Sequence, residues 1–192
     1  MKDLYIENNT TKTLDYLLEE AKSGKYDLAP FGVVCGLTGF GKTASVKAWL
    51  NHYNMKHLYI SAPQRNITEI EAEVFDASLP TSKVSVVNQK ELEEIFMPRK
   101  TTLNVMFTSD EIDAIDENTV IVIDDYCMAT KAQRKELLKY IRKCVIADPR
   151  SESGYTLKNP LFIIVIIDQT ALITNNPLSD SEIKLFRLEK YL

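Results

Sequence analysis

A glycine-rich octapeptide, GLTGFGKT at residues 36–43, lies between two segments with regular apolar patterns. It matches the pattern G-x-x-x-x-G-K-[ST] at every fixed position. The preceding run Phe31–Cys35 is short and apolar, as in a buried strand. After the octapeptide, Val46, Trp49 and Leu50 recur at helical spacing. A strand, a glycine loop and a helix in this order restrict the chain to a small group of α/β folds.

The octapeptide contains the residue types that bind a phosphate group. Glycines allow successive backbone N–H groups to converge on a phosphate, and the start of the following helix adds partial positive charge. Lys42 is placed to reach the β- and γ-phosphates of a nucleotide, and the hydroxyl of Thr43 to bind Mg²⁺. A glycine turn without a ligand is the alternative, and it does not account for the Lys-Thr pair. We predict that ATP and Mg²⁺ are cofactors, bound by Gly36, Thr38, Gly39, Phe40, Gly41, Lys42, Thr43 and Ala44.

A pair of acidic residues follows a second apolar run. Thr119–Ile123 reads TVIVI, which is typical of a buried strand, and Asp124 and Asp125 come directly after it. Because ligands of α/β proteins bind at the carboxyl ends of strands, we predict that Asp124 is a metal ligand opposite the loop. Asp125 is then the candidate general base for the attacking water. The alternative for Asp124 is a solvated acid at the end of a strand.

The other periodic segments predict an α/β fold, a P-loop type of parallel sheet with helices on both faces. Strands that are apolar throughout are typical of a sheet covered on both sides. Strands are predicted at 31–35, 57–60, 119–123 and 161–167, and helices at 11–23, 46–53, 131–147 and from 179. Weaker patterns are interpreted as helices at 67–74 and 88–96, as strands at 83–87 and 104–107, and as a loop at 148–160.

The composition is that of an ordinary globular domain. The 192 residues are 45% hydrophobic and 26% charged, which suits one α/β domain rather than two. A net charge of −4 argues against a protein that coats nucleic acid. Cys35, Cys127 and Cys144 are far apart, so we expect reduced thiols and no zinc site. We predict a cytoplasmic protein without a membrane partner, because the sequence has no signal-peptide or membrane-spanning run.

The motifs occur in an order that resembles the AAA+ P-loop ATPases, and within them the MoxR-like, dynein-related group. GLTGFGKT is similar to their GxxGxGKT, VIVIDD at 120–125 to their Walker B motif, and LFIIVIIDQT at 161–170 to their sensor-1 strand. The resemblance covers residues 11–188 and implies that Asp168 or Gln169 orients the attacking water. The catalytic residues would then be Lys42, Asp125, Asp168 and Gln169. Residues 64–103 would form the variable helical region of the group, which often contacts partners.

The chain departs from the family pattern at three points. Asp125 stands where the family has glutamate, and a displacement of about 1 Å in a base can cost on the order of 10²-fold in rate. No arginine finger occupies its usual place before Phe186, since Lys184 and Leu185 precede that residue and Arg187 follows it. A helical lid domain would begin after residue 192. We therefore expect one AAA+-like core domain over residues 1–192 that lacks the lid.

These features predict an ATPase module that binds Mg·ATP or ADP and acts through self-association, a protein partner or nucleic acid. The alternative is an ATP-binding scaffold or regulatory protein with little hydrolysis, which the shorter Asp125 favours. A small-molecule kinase would need a mobile lid rich in arginine, and the arginines of this chain are scattered.

Two charged segments bear on the choice of partner. The basic segment KAQRKELLKYIRK, residues 131–143, would suit nucleic acid, but we favour an amphipathic helix with a solvated face. The acidic segment SDEIDAIDE, residues 109–117, is interpreted as a solvated helical face rather than a second metal site.

Overall fold

A four-stranded parallel sheet forms the centre of the computed structural model, which describes residues 7–24, 29–74, 99–146, 159–170 and 178–188. The strands lie in the order β1 (Phe31–Gly36), β6 (Phe162–Asp168), β5 (Val120–Asp124) and β2 (His57–Ser61). In this register Gly36 lies opposite Asp168, and Ser61 opposite Asp124. The carboxyl ends of all four strands therefore meet at one edge of the sheet.

Five helices precede, connect or follow the strands in the part of the chain that the structure describes. They are α1 (Asn9–Lys22), α2 (Lys42–His52), α3 (Ser109–Ala114), α4 (Lys131–Ile146) and α5 (Asp180–Phe186). Two short 3₁₀ turns lie at Ala62–Gln64 and Tyr126–Met128. Asp124 is the last residue of β5 and Asp125 caps the second turn, so the acidic pair lies where a buried strand meets a tight turn.

The sheet is covered on both faces, as its apolar strands require. On one face α1 and α2 contribute a hydrophobic cluster with alternate residues of the strands: Leu14, Leu17, Leu18, Val46, Trp49, Leu50, Val120, Val122, Phe162, Ile164 and Ile166. On the other face α4 and α5 contribute a second cluster with the intervening residues: Leu137, Leu138, Ile141, Phe186, Ile121, Ile123, Ile163, Val165 and Ile167. The predicted α/β fold with helices on both faces is confirmed.

The strands and helices predicted from the clearest apolar patterns lie close to the observed ones. All four apolar strands and the helices at 11–23, 46–53, 131–147 and from 179 are present within a few residues of the predicted bounds. Thr130 and Gln133 exchange hydrogen bonds at the start of α4: the Thr130 N–H donates to Oε1 of Gln133 at 2.8 Å, and the Gln133 N–H donates to Oγ1 of Thr130 at 3.3 Å. The same arrangement, a capping box, joins Ser179 and Glu182 at the start of α5.

The predicted helix at 67–74 is wrong. The segment forms β3 (Thr68–Val74), which pairs antiparallel with β4 (Arg99–Val105) in a separate two-stranded sheet. The sequence TEIEAEV alternates glutamate with less polar residues, which is the two-residue period of a strand. The apolar pair Ile70 and Val74 fits a helix as well, and that spacing concealed the alternation. The strand predicted at 104–107 overlaps the end of β4.

Several predicted segments lie outside the described residues. These are the strand at 83–87, the helix at 88–96 and most of the loop at 148–160. Among the described helices, none has the length and apolar character needed to cross a bilayer.

Candidate functional site

The glycine-rich octapeptide forms a loop that leads from β1 into α2. Gly39 and Gly41 have φ angles of 82° and 73°, in the left-handed region where an L side chain is strained. Gly41 is also the N-cap of α2, which begins at Lys42. The unpaired N–H groups of the first helical turn and their partial positive charge therefore adjoin the loop. This is the backbone arrangement that binds anions.

The ammonium group of Lys42 lies inside this loop. Its Nζ donates hydrogen bonds to the carbonyl oxygens of Gly36 at 2.9 Å and Leu37 at 2.8 Å. It also lies 3.4 Å from Oδ2 of Asp168, the last residue of β6. The loop thus places one positive charge at the carboxyl edge of the sheet.

The carboxylate of Asp124 lies beside the start of α2 and is 4% exposed. Its Oδ2 accepts a hydrogen bond from Oγ1 of Thr43 at 2.9 Å, across 81 residues of chain. The hydroxyl of Tyr59, from β2, donates to the same oxygen. The other oxygen, Oδ1, accepts from the backbone N–H of Asp125 at 2.9 Å. The predicted pair of metal-binding residues, Thr43 and Asp124, is therefore in direct contact.

Two further aspartates of the site differ in their protonation behaviour. Asp125 has an exposed side chain and a left-handed backbone with φ of 55°. Although much of this side chain is exposed, partial desolvation of the carboxyl group, followed by the nearby charges of Asp124 and Asp168, raises the pKa of Asp125. Burial also acts to raise the pKa of Asp168, but hydrogen bonds from Thr38 and Thr170 outweigh it and hold the pKa at about 2. Asp168 is therefore a carboxylate at any physiological pH.

A cavity of about 340 Å³ joins these groups. It is lined by Thr38, Gly39, Gly41, Lys42, Thr43, Ala44, Asp124, Asp125, Ile166 and Asp168. Most of the residues that the sequence indicated thus surround one space, although three residues do not line it. Gly36 contributes only its carbonyl oxygen to Lys42, Phe40 is 76% exposed, and Gln169 is half-buried next to Asp168.

Sequence reasoning missed the polar contacts that join the loop to β6 and β2. Oγ1 of Thr38 donates to Oδ2 of Asp168 at 2.7 Å, and the backbone N–H of Thr170 donates to Oδ1 of Asp168 at 2.8 Å. The ring of Tyr59, whose hydroxyl reaches Asp124, lies under Nζ of Lys47 at 4.3 Å from the ring centroid. No local pattern in the sequence marks the contacts of Thr38 with Asp168 and of Tyr59 with Asp124, because each of these two joins separate elements.

The structure corrects the predicted basic face of residues 131–143 at Arg134. This side chain is buried, and its Nε donates to Oε1 of Glu182 at 3.0 Å. The hydroxyl of Tyr126, two residues after Asp124, donates to the same oxygen at 2.9 Å. Arg134 therefore joins α4 to α5 and to the turn after β5, and it is not part of a solvated surface.

A second cavity, of about 450 Å³, lies beside β1. Its lining combines polar residues of the first turns of α1 with residues of β1 and of the end of α5: Asn9, Thr10, Thr13, Val33, Val34, Cys35, Phe186, Arg187 and Leu188. Cys35 directly precedes Gly36, the first residue of the loop. Nδ2 of Asn8, the N-cap of α1, donates to Oγ of Ser45 in α2 at 3.1 Å. The second cavity therefore adjoins the phosphate loop.

Comparisons with known proteins found similarity in structure only. No protein-family model and no curated protein matches the chain. Among solved structures, the Holliday junction branch migration motor RuvB of Thermotoga maritima has a TM-score of 0.42 at 17% identity, and the match covers 87% of this chain and 40% of that one. A single-substitution variant of the same RuvB has a TM-score of 0.42 at 18% identity, covering 88% of this chain and 41% of that one. The chain thus spans about two fifths of the length of these structures.

Proposed function

We propose that this chain is an AAA+-like ATPase module that binds Mg·ATP and hydrolyses it. One observation carries the proposal: Lys42 and the contacting pair of Thr43 and Asp124 line the same cavity at the start of α2. A glycine loop without a ligand would not require a lysine, a hydroxyl and a buried carboxylate to converge there.

The loop residues bind the phosphates in this proposal. Gly39 and Gly41 bring backbone N–H groups close to the anion, and the first turn of α2 adds its partial charge. Lys42 now donates to two carbonyl oxygens of the loop. On nucleotide binding these bonds would be replaced by bonds to the β- and γ-phosphates, which are stronger because both partners are charged.

The donor set fits a magnesium ion. Among the residues that the structure describes, no group of three or more His, Cys, Asp or Glu residues could hold a metal by itself. Mg²⁺ at a nucleotide site needs only one or two protein oxygens, since phosphates and water complete its coordination. The Thr43 hydroxyl and the Asp124 carboxylate are hard oxygen donors of this kind and would hold the ion. When bound, it supplies positive charge that stabilises the transferring phosphoryl group.

Asp125 and Asp168 have separate functions in hydrolysis. Asp125 lines the cavity and accepts the proton of the attacking water as general base. Asp168 is ionised and holds Thr38 and Lys42 by direct contacts, so it fixes the loop beside the γ-phosphate. Of the two sensor candidates we select Asp168, because it lines the cavity and Gln169 does not.

The second cavity would take the nucleoside. One side of it is apolar, with Val33 and Phe186, and the other presents polar groups of α1, including Asn9 and Thr13. A purine needs such a combination of an apolar surface and a few hydrogen-bonding groups. Two observations support a nucleoside beside the phosphate loop: Cys35 lines this cavity and precedes the loop, and Asn8, next to the lining residue Asn9, bonds to Ser45 in the first turn of α2.

A second candidate function is an ATP-binding scaffold with little turnover. The observation that favours it is Asp125, which is one methylene shorter than the glutamate of the resembled family. A protein partner or self-association would then be controlled by nucleotide binding alone. Nucleic acid is a weaker candidate, because Arg134 is buried and Lys139 is paired with Glu136 at 3.0 Å.

Phosphate release from ATP, measured with Mg²⁺ and with EDTA, tests the proposal. We expect release only with Mg²⁺, and its loss in Asp124→Asn. Asp113→Asn, an exposed aspartate of α3, is the matched control and should leave release unchanged. ATP binding without release would favour the scaffold, and absence of ATP binding would contradict both functions.

A further inference from the structure

Tyr59 contacts the carboxylate that the proposed function assigns to the metal. Its hydroxyl donates a hydrogen bond to Oδ2 of Asp124. The two residues lie on neighbouring parallel strands, β2 and β5, and are 65 positions apart. The other donor to this oxygen is the hydroxyl of Thr43, the last residue of the glycine-rich octapeptide. Tyr59 is therefore a second donor to Asp124 that comes from a separate element.

The hydrogen-bonding capacity of Oδ2 is filled in this arrangement. A carboxylate oxygen has two lone-pair directions, and here Thr43 and Tyr59 each donate to Oδ2. Oδ1 accepts from the backbone N–H of Asp125 at 2.9 Å, and the whole residue is 4% exposed. An ion, or a water molecule bound to it, can use Oδ2 only if one of the two hydroxyls withdraws.

Tyr59 is the donor that is able to withdraw. Thr43 is fixed in the first turn of α2 and is itself a proposed ligand of the ion. The ring of Tyr59 is half-buried: it packs at the edge of the hydrophobic cluster beneath α1 and α2, and its other neighbour is the ammonium group of Lys47, 4.3 Å from the ring centroid. A phenol is a hydrogen-bond donor at neutral pH, so Tyr59 can donate to Asp124 without any change of its own charge.

We propose that Tyr59 is a hydroxyl latch on Asp124, which occupies Oδ2 in the nucleotide-free protein and competes with Mg²⁺ for it. The inference rests on the proposed function, since it concerns the same metal-binding carboxylate. The latch sets the Mg²⁺ concentration at which Mg·nucleotide binds, and it keeps a buried carboxylate paired when no ion is present. Affinity for nucleotide without metal does not depend on it.

Removal of the hydroxyl tests the latch. In Tyr59→Phe we expect the Mg²⁺ concentration for half-maximal binding of a fluorescent ATP analogue to fall about tenfold, as for loss of one competing hydrogen bond to a charged group. Binding of the analogue in EDTA should stay at the wild-type level, which also shows that the variant is folded. Tyr53→Phe removes a hydroxyl at the end of α2 and is the matched control, with no expected change.

A second measurement does not depend on hydrolysis. Mn²⁺ replaces Mg²⁺ in the presence of ADP, and electron paramagnetic resonance measures the affinity of the protein for Mn²⁺. Tyr59→Phe should bind Mn²⁺ more tightly than the wild type. In an Asp124→Asn background the same substitution should change metal affinity by less than about threefold, because the charged carboxylate for which the hydroxyl and the ion compete is gone.

Two results would overturn the latch alone, with nucleotide binding intact. Metal affinity equal to the wild type would show that the hydroxyl does not compete, and weaker affinity would show that it supports the metal site. Failure of both wild type and variant to bind nucleotide would overturn the proposed function, and the latch with it.

Discussion

The ammonium group of Lys42 lies 3.4 Å from Oδ2 of Asp168, although 126 residues separate them in the chain. The contact exists because β1 and β6 are adjacent parallel strands, with Gly36 opposite Asp168. The same carboxylate accepts a hydrogen bond from Thr38 at 2.7 Å. The last residue of β6 thus holds two side chains of the phosphate loop.

Asp168→Asn should slow ATP hydrolysis more than it weakens ATP binding. The amide keeps the shape of the side chain but has one acceptor oxygen, so it cannot satisfy Thr38, Thr170 and Lys42 together. We expect phosphate release to fall at least about tenfold, with ATP affinity within about threefold, since the backbone of the loop still binds the phosphates. Release assays and fluorescent-nucleotide titrations measure the two effects. Wild-type turnover in the variant would exclude Asp168 from catalysis, and Asp113→Asn serves as control.

Asp125→Glu should accelerate phosphate release. The added methylene extends the carboxylate toward the position that the base occupies in the family this chain resembles, and about 1 Å in a base is worth up to about 10²-fold in rate. Asp125→Asn should bind ATP normally and release no phosphate, because the amide cannot accept the proton. A slower or unchanged glutamate variant would show that the length of the base does not limit turnover.

Glu182→Gln should destabilise the fold at neutral pH. Arg134 and Glu182 are buried, with side chains 4% and 6% exposed, and loss of one partner leaves an unpaired buried charge. The expected decrease in the free energy of unfolding is about 3 kcal/mol. Glu136→Gln removes the partner of the half-exposed Lys139 and should cost less than about 1 kcal/mol. Urea unfolding of the three proteins measures both values.

The effect of Glu182 should depend on pH with a defined sign. Burial acts to raise the pKa of Glu182, but hydrogen bonds from Ser179 and Tyr126 and the charge of Arg134 outweigh it, so the pKa lies below its ordinary value of 4.5. The pair therefore contributes fully above pH 4.5 and loses its contribution as the pH falls through the pKa of the folded state. The difference between wild type and Glu182→Gln should shrink on acidification. A difference that is constant with pH would show that Glu182 is not ionised in the folded protein.

The part of the site that could be predicted is the part whose chemistry is local in sequence. The octapeptide specifies Lys42 and Thr43 by spacing alone, and Asp124 follows an apolar strand whose end had to lie at the carboxyl edge of the sheet. Tyr59 could not be predicted, since its partner is 65 residues away on another strand. Within its own segment, His57–Ile60, Tyr59 is one residue of a short strand, and nothing there indicates a contact with Asp124.

Arg134 and β3 were missed for different reasons. Arg134 stands among lysines and one glutamate on a helix, and only its distant partner Glu182, 48 residues away, shows that it is buried. β3 carried its own signal in the alternating glutamates Glu69, Glu71 and Glu73, but the apolar spacing of Ile70 and Val74 also fits a helix. Pairing with β4 decides between the two, and that pairing is not visible in either segment alone.

The central claim is that the glycine-rich loop binds the phosphates of ATP. Its most direct test is to compare nucleotide binding by the wild type, Lys42→Ala and Lys139→Ala. Lys139 is a half-exposed lysine of α4 that contacts Glu136, so its removal controls for loss of one positive charge. Titration calorimetry with Mg·ATP should show binding by the wild type and by Lys139→Ala, and none by Lys42→Ala. Equal affinity in all three proteins would contradict the assignment of this loop as the phosphate-binding site.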